Sequence, residues 1–329
     1  MTIRVTALRR RWMVTALVVL VAIATLTLYD RLFRERAAPY FESDEEHFLY
    51  GSIGGESTEG IPYWIWLVLP RIFPDLLPGP GGYTTFGLLS KDARDLPVGL
   101  SKVTIGYPRV AMNCAFCHVG SVRAQPGDLP TIVPGAPAHQ VAAQQYGRFL
   151  VAAASDPRFT AGNILGEIAR NYRLSAVDRF LYRFVVIPGT RQRLLRLKER
   201  GVWMEGHPNW GHGRADVFNP IRFQRLGRPI DDAIGSADMM PLWSMARREP
   251  QGLFWNGLQG TLRDAVVTSA LGAGASRPWL DADIAKWART DAPRMSSLRR
   301  IQRYIADLKP PSYPFSVDQG MAAAGQAVY

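Results

Sequence analysis

Cysteine is scarce in this chain of 329 residues, which contains only Cys114 and Cys117. Both lie within one short motif, so no cysteine is left for a disulfide between distant parts of the chain. This excludes the disulfide-stabilised scaffolds of small secreted domains. Low cysteine content alone is typical of cytosolic proteins, but the N-terminal sequence argues for export.

The chain also lacks internal repeats and the regular alternation of apolar and polar residues that marks half-buried strands. Apolar residues recur instead at helical spacing, between long segments rich in proline and glycine such as Pro78–Gly82. These patterns predict a mainly α fold with long irregular connections. The predicted helices cover residues 138–154, 160–172, 175–186, 191–200, 281–289 and 296–308.

A strong concentration of charge is missing outside the N-terminus. The net charge is +11, of which the first 36 residues supply +5, and the remaining +6 is spread along the chain. Binding to nucleic acid is therefore not expected, whereas an acidic partner protein would suit a mildly basic body.

The N-terminus contains a long uncharged apolar run. Arg4 and Arg9–Arg11 precede eighteen uncharged residues, Trp12–Tyr29. A helix of that length extends about 27 Å, enough to cross the apolar core of a membrane. We therefore predict that residues 1–11 are cytoplasmic, that 12–29 form a single span in the inner membrane, and that the body is periplasmic. The alternative is a cleaved signal with small residues at Ala22–Ala24, which also exports the body.

The rest of the chain divides by composition. Residues 30–60 are polar and charged, and they predict a linker between the membrane and the folded body. Residues 61–309 are predicted to form one domain, which starts with a Pro- and Trp-rich region of loops and short helices. Because Pro310 and Pro311 end its last helix, residues 310–329 are predicted to be a separate segment.

The motif Cys114-Ala115-Phe116-Cys117-His118 predicts a covalent c-type haem. On one helical turn the two thiols face the same way, so they can bond to the two vinyl edges of one porphyrin. His118 then lies under the ring and supplies an axial nitrogen to the iron. Two alternatives use the same cysteines: a zinc site completed by His207 and His212, and a thioredoxin-like dithiol. The zinc site leaves His118 unexplained, and the dithiol lacks its usual βαβ context.

The second axial ligand of the iron is not determined by the sequence. Methionine ligation would raise the reduction potential, whereas an open position would permit reactions with small molecules. His212 is the first candidate, because the glycines at 211 and 213 would let its loop approach a flat ring. The other candidates are the remaining histidines and two adjacent methionines: His47, His139, His207, Met239 and Met240.

Several segments around the motif resemble a known family. They are Ile105–Arg123, which contains the motif, Gly213–Pro220, Met240–Trp243, Phe254–Gly257 and Leu271–Ala275. Together they are similar to the first haem site and the inter-haem segment of bacterial dihaem c-type cytochromes related to rubber oxygenases and dihaem cytochrome c peroxidases. The resemblance implies a mainly α, cytochrome c-like fold with two haem modules, one for peroxide or oxygen chemistry and one for electron transfer.

The chain departs from that family because it contains a single Cys-x-x-Cys-His motif. Gly325 and Tyr329 resemble the opening helix of a cytochrome c domain, which predicts that 310–329 starts a second haem module whose motif lies beyond this sequence. For the chain as it stands, we expect a membrane-tethered electron carrier with one haem c and a periplasmic or membrane-bound redox partner. The alternative is a haem oxidoreductase acting on peroxide, oxygen or an organic substrate, with catalytic residues that the sequence does not identify.

Overall fold

The computed structural model describes residues 2–91, 94–125, 127–220, 222–223, 226–254, 257, 259–291 and 295–328, with the backbone only for 2–9. Among them helices predominate over small sheets, which confirms the mainly α class. Trp255, Asn256 and Tyr329, which contribute to the family resemblance, lie outside the described residues.

The helices account for most of the ordered backbone. They are α1 Thr2–Leu32, α2 Asp44–Tyr50, α3 Tyr63–Ile72, α4 Ala143–Ser155, α5 Ala161–Ala169, α6 Ala176–Leu181, α7 Ile187–Arg200, α8 Leu262–Gly272, α9 Arg277–Ile284, α10 Ser297–Asp307 and α11 Gln319–Val328. A π-helical turn, Tyr182–Val186, joins α6 directly to α7. Each predicted helical region contains a helix, although 281–289 holds only the end of α9.

Side-chain caps explain why several of these helices begin where they do. The hydroxyl of Ser175 accepts a hydrogen bond from the backbone N–H of Asp178 at 3.1 Å, as the capping pattern predicts. Thr160 and Ser296 cap α5 and α10 in the same way. Each cap gives a partner to an N–H group that the helix itself leaves unbonded.

Short strands are present, although the sequence shows no regular strand alternation. They are β1 Ile61–Pro62, β2 Leu100–Ile105, β3 Tyr107–Met112, β4 Val119–Val122, β5 Thr131–Pro134, β6 Arg214–Asp216 and β7 Ser236–Asp238. They pair antiparallel in the orders β1-β3-β2, β4-β5 and β6-β7. The β3 strand escaped notice because the consecutive residues Arg109, Val110 and Ala111 are all buried, which removes the usual alternation.

Two clusters of buried apolar side chains form the core. The first is built mainly from α3, α4, α5 and the helix that runs from α6 into α7. The second is built mainly from α2, α8, α9 and α10. Phe48 and Leu49 of α2 are completely buried in the second cluster, and Arg300 of α10 binds Asp44 at 2.8 Å. The folded body therefore begins before residue 61, inside the range predicted to be a linker.

Helix α1 contains Arg10–Leu32, which within the described residues is the one stretch long and apolar enough to span a membrane. Its apolar side chains are exposed, for example Trp12 at 68% and Leu20 at 63%. Such exposure suits a helix surrounded by lipid. An anchor and a signal sequence share these properties.

The chain leaving α1 is bonded directly to the body. The backbone N–H of Gly106, between β2 and β3, donates to the carbonyl of Arg34 at 2.8 Å, and the N–H of Arg36 donates to Thr104 at 2.9 Å. Gly106 has φ +71°, and a Cβ there would lie 2.3 Å from the carbonyl carbon of Leu32. The end of α1 is therefore held against the β2–β3 turn.

Candidate haem site

The cysteine motif forms one tight turn directly after β3. Cys114–Phe116 is a 3-10 helix, and the carbonyl of Cys114 accepts from the N–H groups of both Cys117 (3.3 Å) and His118 (3.1 Å). The side-chain oxygen of Asn113 accepts from the N–H of Ala115 at 3.0 Å and so caps the turn. The motif therefore forms the helical turn that the spacing of its cysteines predicts.

Asn113 also ties the turn to the second core cluster. Its side-chain amide donates to the carbonyls of Leu49 (3.2 Å) and Gly51 (3.0 Å), at the end of α2. Its backbone N–H donates to Gly99 at 3.0 Å. Because Asn113 is buried, each of these bonds replaces a lost bond to water, and the position of Cys114 is coupled to α2.

The two thiols lie where the two core clusters meet. Cys114 packs against the second cluster and Cys117 against the first, and neither is in a disulfide. Burial raises the pKa of Cys114 to about 12 and that of Cys117 to about 11. A redox-active dithiol needs the opposite shift toward the thiolate, so this environment does not favour the dithiol alternative.

His118 has a fixed ring orientation. Its Nδ1 lies 2.9 Å from the backbone carbonyl of Met240, 122 residues further along the chain. A carbonyl can only accept, so Nδ1 carries the proton and Nε2 has the free electron pair. Burial lowers the pKa of His118, which keeps the imidazole neutral. Nε2 makes no hydrogen bond within the described residues and could bind a metal ion.

Gly135 holds the segment that carries the Met240 carbonyl next to the histidine. The N–H of Gly135 donates to the carbonyl of His118 at 2.8 Å, and its carbonyl accepts from the N–H of Leu242 at 2.8 Å. Gly135 has φ +77°, and a Cβ would come within 3.0 Å of Nε1 of Trp243. That indole donates to the carbonyl of Pro134 at 3.1 Å, so the contact has no room for a side chain.

His212, the first candidate for the second axial ligand, lies in a loop near this site but does not contact it. The carbonyl of the adjacent Gly213 accepts from the N–H of Met239 at 2.9 Å, which places the loop beside the Met240 segment. The His212 side chain is exposed, and it makes no hydrogen bond within the described residues. The two chain segments are thus hydrogen-bonded, but within the described residues no hydrogen bond or ring contact joins the two imidazoles.

The other histidines are engaged elsewhere or face solvent. His47 bonds Ser297 at 2.8 Å, and burial lowers its pKa to about 4. Nδ1 of His207 lies 2.7 Å from the carbonyl of Trp203. His139 is exposed. None of these positions favours axial ligation in the geometry described.

The methionine candidates and the zinc alternative are also placed by the structure. Met239 is buried in the first cluster, and the contact of Met240 with His118 is made by its carbonyl rather than its sulfur. In the described ranges, no group of three or more His, Cys, Asp or Glu side chains is placed to hold a metal ion. A zinc site that joins the cysteines to His207 and His212 therefore has no geometric support.

Two functional groups of the site escaped sequence reasoning. Asn113 could have been found, since an Asn directly before a short helical turn is a strong capping signal. The Met240 carbonyl could not, because every residue has such a group and only the fold selects one. Comparisons of the chain with known protein families, curated proteins and solved structures gave no match.

Proposed function

We propose that this protein is a membrane-tethered c-type cytochrome. Cys114 and Cys117 would hold haem c through thioether bonds, His118 would bind its iron, and the protein would pass single electrons to or from a redox partner. One observation carries the proposal: Nδ1 of His118 donates to the Met240 carbonyl, and this is the histidine that directly follows the cysteine pair. Iron-bound imidazoles in proteins are oriented by this type of bond, which leaves Nε2 unprotonated.

Haem, when bound, supplies an iron centre that gains and loses one electron. The residues of this chain set its environment. The bond to the Met240 carbonyl makes the His118 ring a stronger electron donor, which favours oxidised iron and lowers the reduction potential. The apolar clusters beside Cys114 and Cys117 have the opposite effect, because a less polar surrounding disfavours the additional positive charge of oxidised iron.

Kinship with the bacterial dihaem c-type cytochromes related to rubber oxygenases and dihaem peroxidases is part of the same proposal. It rests on the sequence segments that resemble that family, including Ile105–Arg123 around the motif. The structure adds only a mainly α body, which suits a cytochrome c-like fold without identifying one.

The location that we propose is the inner membrane, with the body in the periplasm. Arginines 4 and 9–11 would hold the N-terminus in the cytoplasm, and Arg10–Leu32 would cross the bilayer. Protease added to intact spheroplasts should then digest the body. Full protection of the body would contradict this topology, and a mature protein that lacks residues 12–29 would show that the segment is a cleaved signal.

Covalent haem can be tested directly. The full chain is expressed with a c-type maturation system, denatured, extracted with acidic solvent and run on a haem-stained gel. We expect the stain to stay with the protein, and the double variant Cys114→Ala, Cys117→Ala to lose it. His139→Ala is the control for covalent attachment because it removes an exposed histidine near the motif but neither thiol, and it should keep the stain.

The ligands of the iron need a second measurement. His118→Ala should shift the haem absorbance bands, whereas His212→Ala should shift them only if His212 is the second axial ligand. Added carbon monoxide or cyanide separates the two functional classes, since electron carriers with both axial positions filled bind such ligands poorly. Rapid binding would favour the haem oxidoreductase. Haem that leaves with the solvent would refute the c-type assignment.

A further inference from the structure

An exposed apolar stripe runs along the helix formed by α6 and the π turn, and haem binding makes no use of it. Val177, Phe180 and Phe184 recur at helical spacing, and their exposed fractions are 46%, 61% and 59%. The rings of Phe180 and Phe184 contact each other, with centroids 4.8 Å apart. Large apolar side chains grouped in this way mark an interaction surface more often than scattered ones do.

The same helix is strongly basic. Residues 170–200 contain nine arginines and lysines against two acidic residues. Arg173, Arg179 and Arg183 are exposed beside the apolar stripe, and the guanidinium of Arg183 lies 5.7 Å from the Phe184 ring centre. A helix with an apolar face flanked by arginines is typical of segments that lie in the interface of an anionic membrane.

Two contacts link this helix to the end of α1. Arg31, in the last turn of α1, binds Asp178 of α6 at 3.0 Å. Tyr182 of the π turn packs on Tyr107 with ring centroids 6.0 Å apart, next to the glycine that contacts Leu32. The helix that carries the stripe is therefore held, through Asp178 and Tyr182, at the point where the chain leaves α1.

The length of the proposed membrane span determines how deep in the bilayer the end of α1 lies. Arg10–Leu32 contains 23 residues, and a helix of this length extends about 34 Å, close to the roughly 30 Å of a bilayer core. Arg31 would then lie at headgroup level, and its partner Asp178 would hold α6 at the same level.

We infer that the exposed face of residues 173–185 lies on the outer leaflet of the bilayer that α1 spans. Val177, Phe180 and Phe184 enter the interfacial region, and the arginines beside them bind the phosphates of anionic lipids. The inference rests on the proposed membrane insertion of α1 and is independent of haem. The membrane is favoured over a partner protein because the anchor itself holds this helix and because its charge complements anionic lipid.

The test uses the full chain in lipid nanodiscs that contain a photoactivatable phosphatidylglycerol with its reactive group near the headgroup. After illumination and digestion, lipid-modified peptides are mapped by mass spectrometry. We expect modification within 12–32 and also within 173–185. The double variant Phe180→Ser, Phe184→Ser should reduce modification of 173–185 by more than half. The matched control Ile230→Ser, Ile234→Ser removes two equally exposed apolar side chains elsewhere and should change nothing.

The outcomes distinguish the two proposals. Modification of 12–32 without 173–185 overturns the inference while membrane insertion stands. No modification of 12–32 overturns the insertion, and the inference with it. Protection of 173–185 by a second copy or another protein, with no lipid attached, also overturns the inference. If the nanodiscs contain only zwitterionic lipid, including a photoactivatable zwitterionic lipid, modification of 173–185 should fall, and an unchanged yield would contradict the role of the arginines.

Discussion

Replacing Asn113 by alanine should destabilise the body by disconnecting the cysteine turn from α2. The variant loses three hydrogen bonds: two donated to Leu49 and Gly51, and one accepted from Ala115. The Leu49 carbonyl keeps a bond from Gly99, so the groups deprived of a partner are the Gly51 carbonyl and the Ala115 N–H. Leaving two buried backbone groups unbonded costs about 2–6 kcal/mol in unfolding free energy.

Two further substitutions of Asn113 separate its roles. Asn113→Ser keeps a capping oxygen but cannot reach both carbonyls, so it should recover about 1 kcal/mol of the loss. Asn113→Asp keeps the cap but turns a carboxylate toward two carbonyl oxygens, which should make it at least as unstable as alanine. The expected order of stability is Asn, then Ser, then Ala and Asp.

The assay is urea unfolding of the full chain in mild detergent, followed by tryptophan fluorescence and repeated by absorbance of the proposed haem. Asn171→Ala is the control, because that amide is exposed and donates a single bond to Glu167, and its effect should stay within about 0.5 kcal/mol. A loss below about 1 kcal/mol for Asn113→Ala, or a serine variant no better than the aspartate, would refute the reasoning.

Three other substitutions have defined outcomes. Because the pKa of His47 is lowered from 6.5 to about 4 by burial and by Arg300, the folded state resists protonation. Unfolding free energy should therefore fall by about 3 kcal/mol as the pH drops from 6.5 to 4, and His47→Gln should flatten that part of the pH profile. Burial raises the pKa of Glu56, so the native protein loses stability as the pH rises above 4.5, the ordinary value. Glu56→Gln should match the parent protein in acid and exceed it in urea midpoint at high pH. Gly135→Ala should displace the Leu308 side chain, 2.3 Å from the added Cβ, and crowd Trp243 at 3.0 Å, so it should lower the unfolding free energy by about 1–3 kcal/mol and alter the tryptophan spectrum. Gly147→Ala, where an added Cβ meets nothing within 4 Å, should not destabilise.

The helices were largely predictable from the sequence. Local signals decide them, as the Ser175 cap and the proline pair after α10 illustrate. The β2–β3 hairpin was not predictable, because burial on both faces erases the alternation that marks a strand. Residues 44–57 carry many charges, but Asp44 finds its partners Arg300 and Arg303 more than 250 positions away, and no local pattern announces such an ion pair.

Part of the candidate site was likewise predictable from the sequence, and part was not. The spacing of Cys114, Cys117 and His118 is a local signal that the sequence shows in full. The group that orients His118 is a backbone carbonyl brought close by tertiary folding. The composition around Met240 suggested a sulfur ligand, whereas its contact with the imidazole is made by the main chain. The sequence identifies which side chains could bind iron, but which backbone group contacts them depends on the tertiary fold.

Residues 34–36 bond directly to β2 and to the β2–β3 turn, so no flexible linker separates α1 from the body. A cytochrome joined to its anchor by a long flexible linker can meet partners at many heights above the membrane, and its reach grows with the length of the linker. With the proposed haem and membrane span, a body fixed to its anchor would hold the haem at one height above the bilayer and would meet partners only by diffusing in the plane of the membrane. Lengthening the joint after Leu32 with glycine and serine would therefore widen the range of heights at which a partner can be met, at the expense of a fixed orientation.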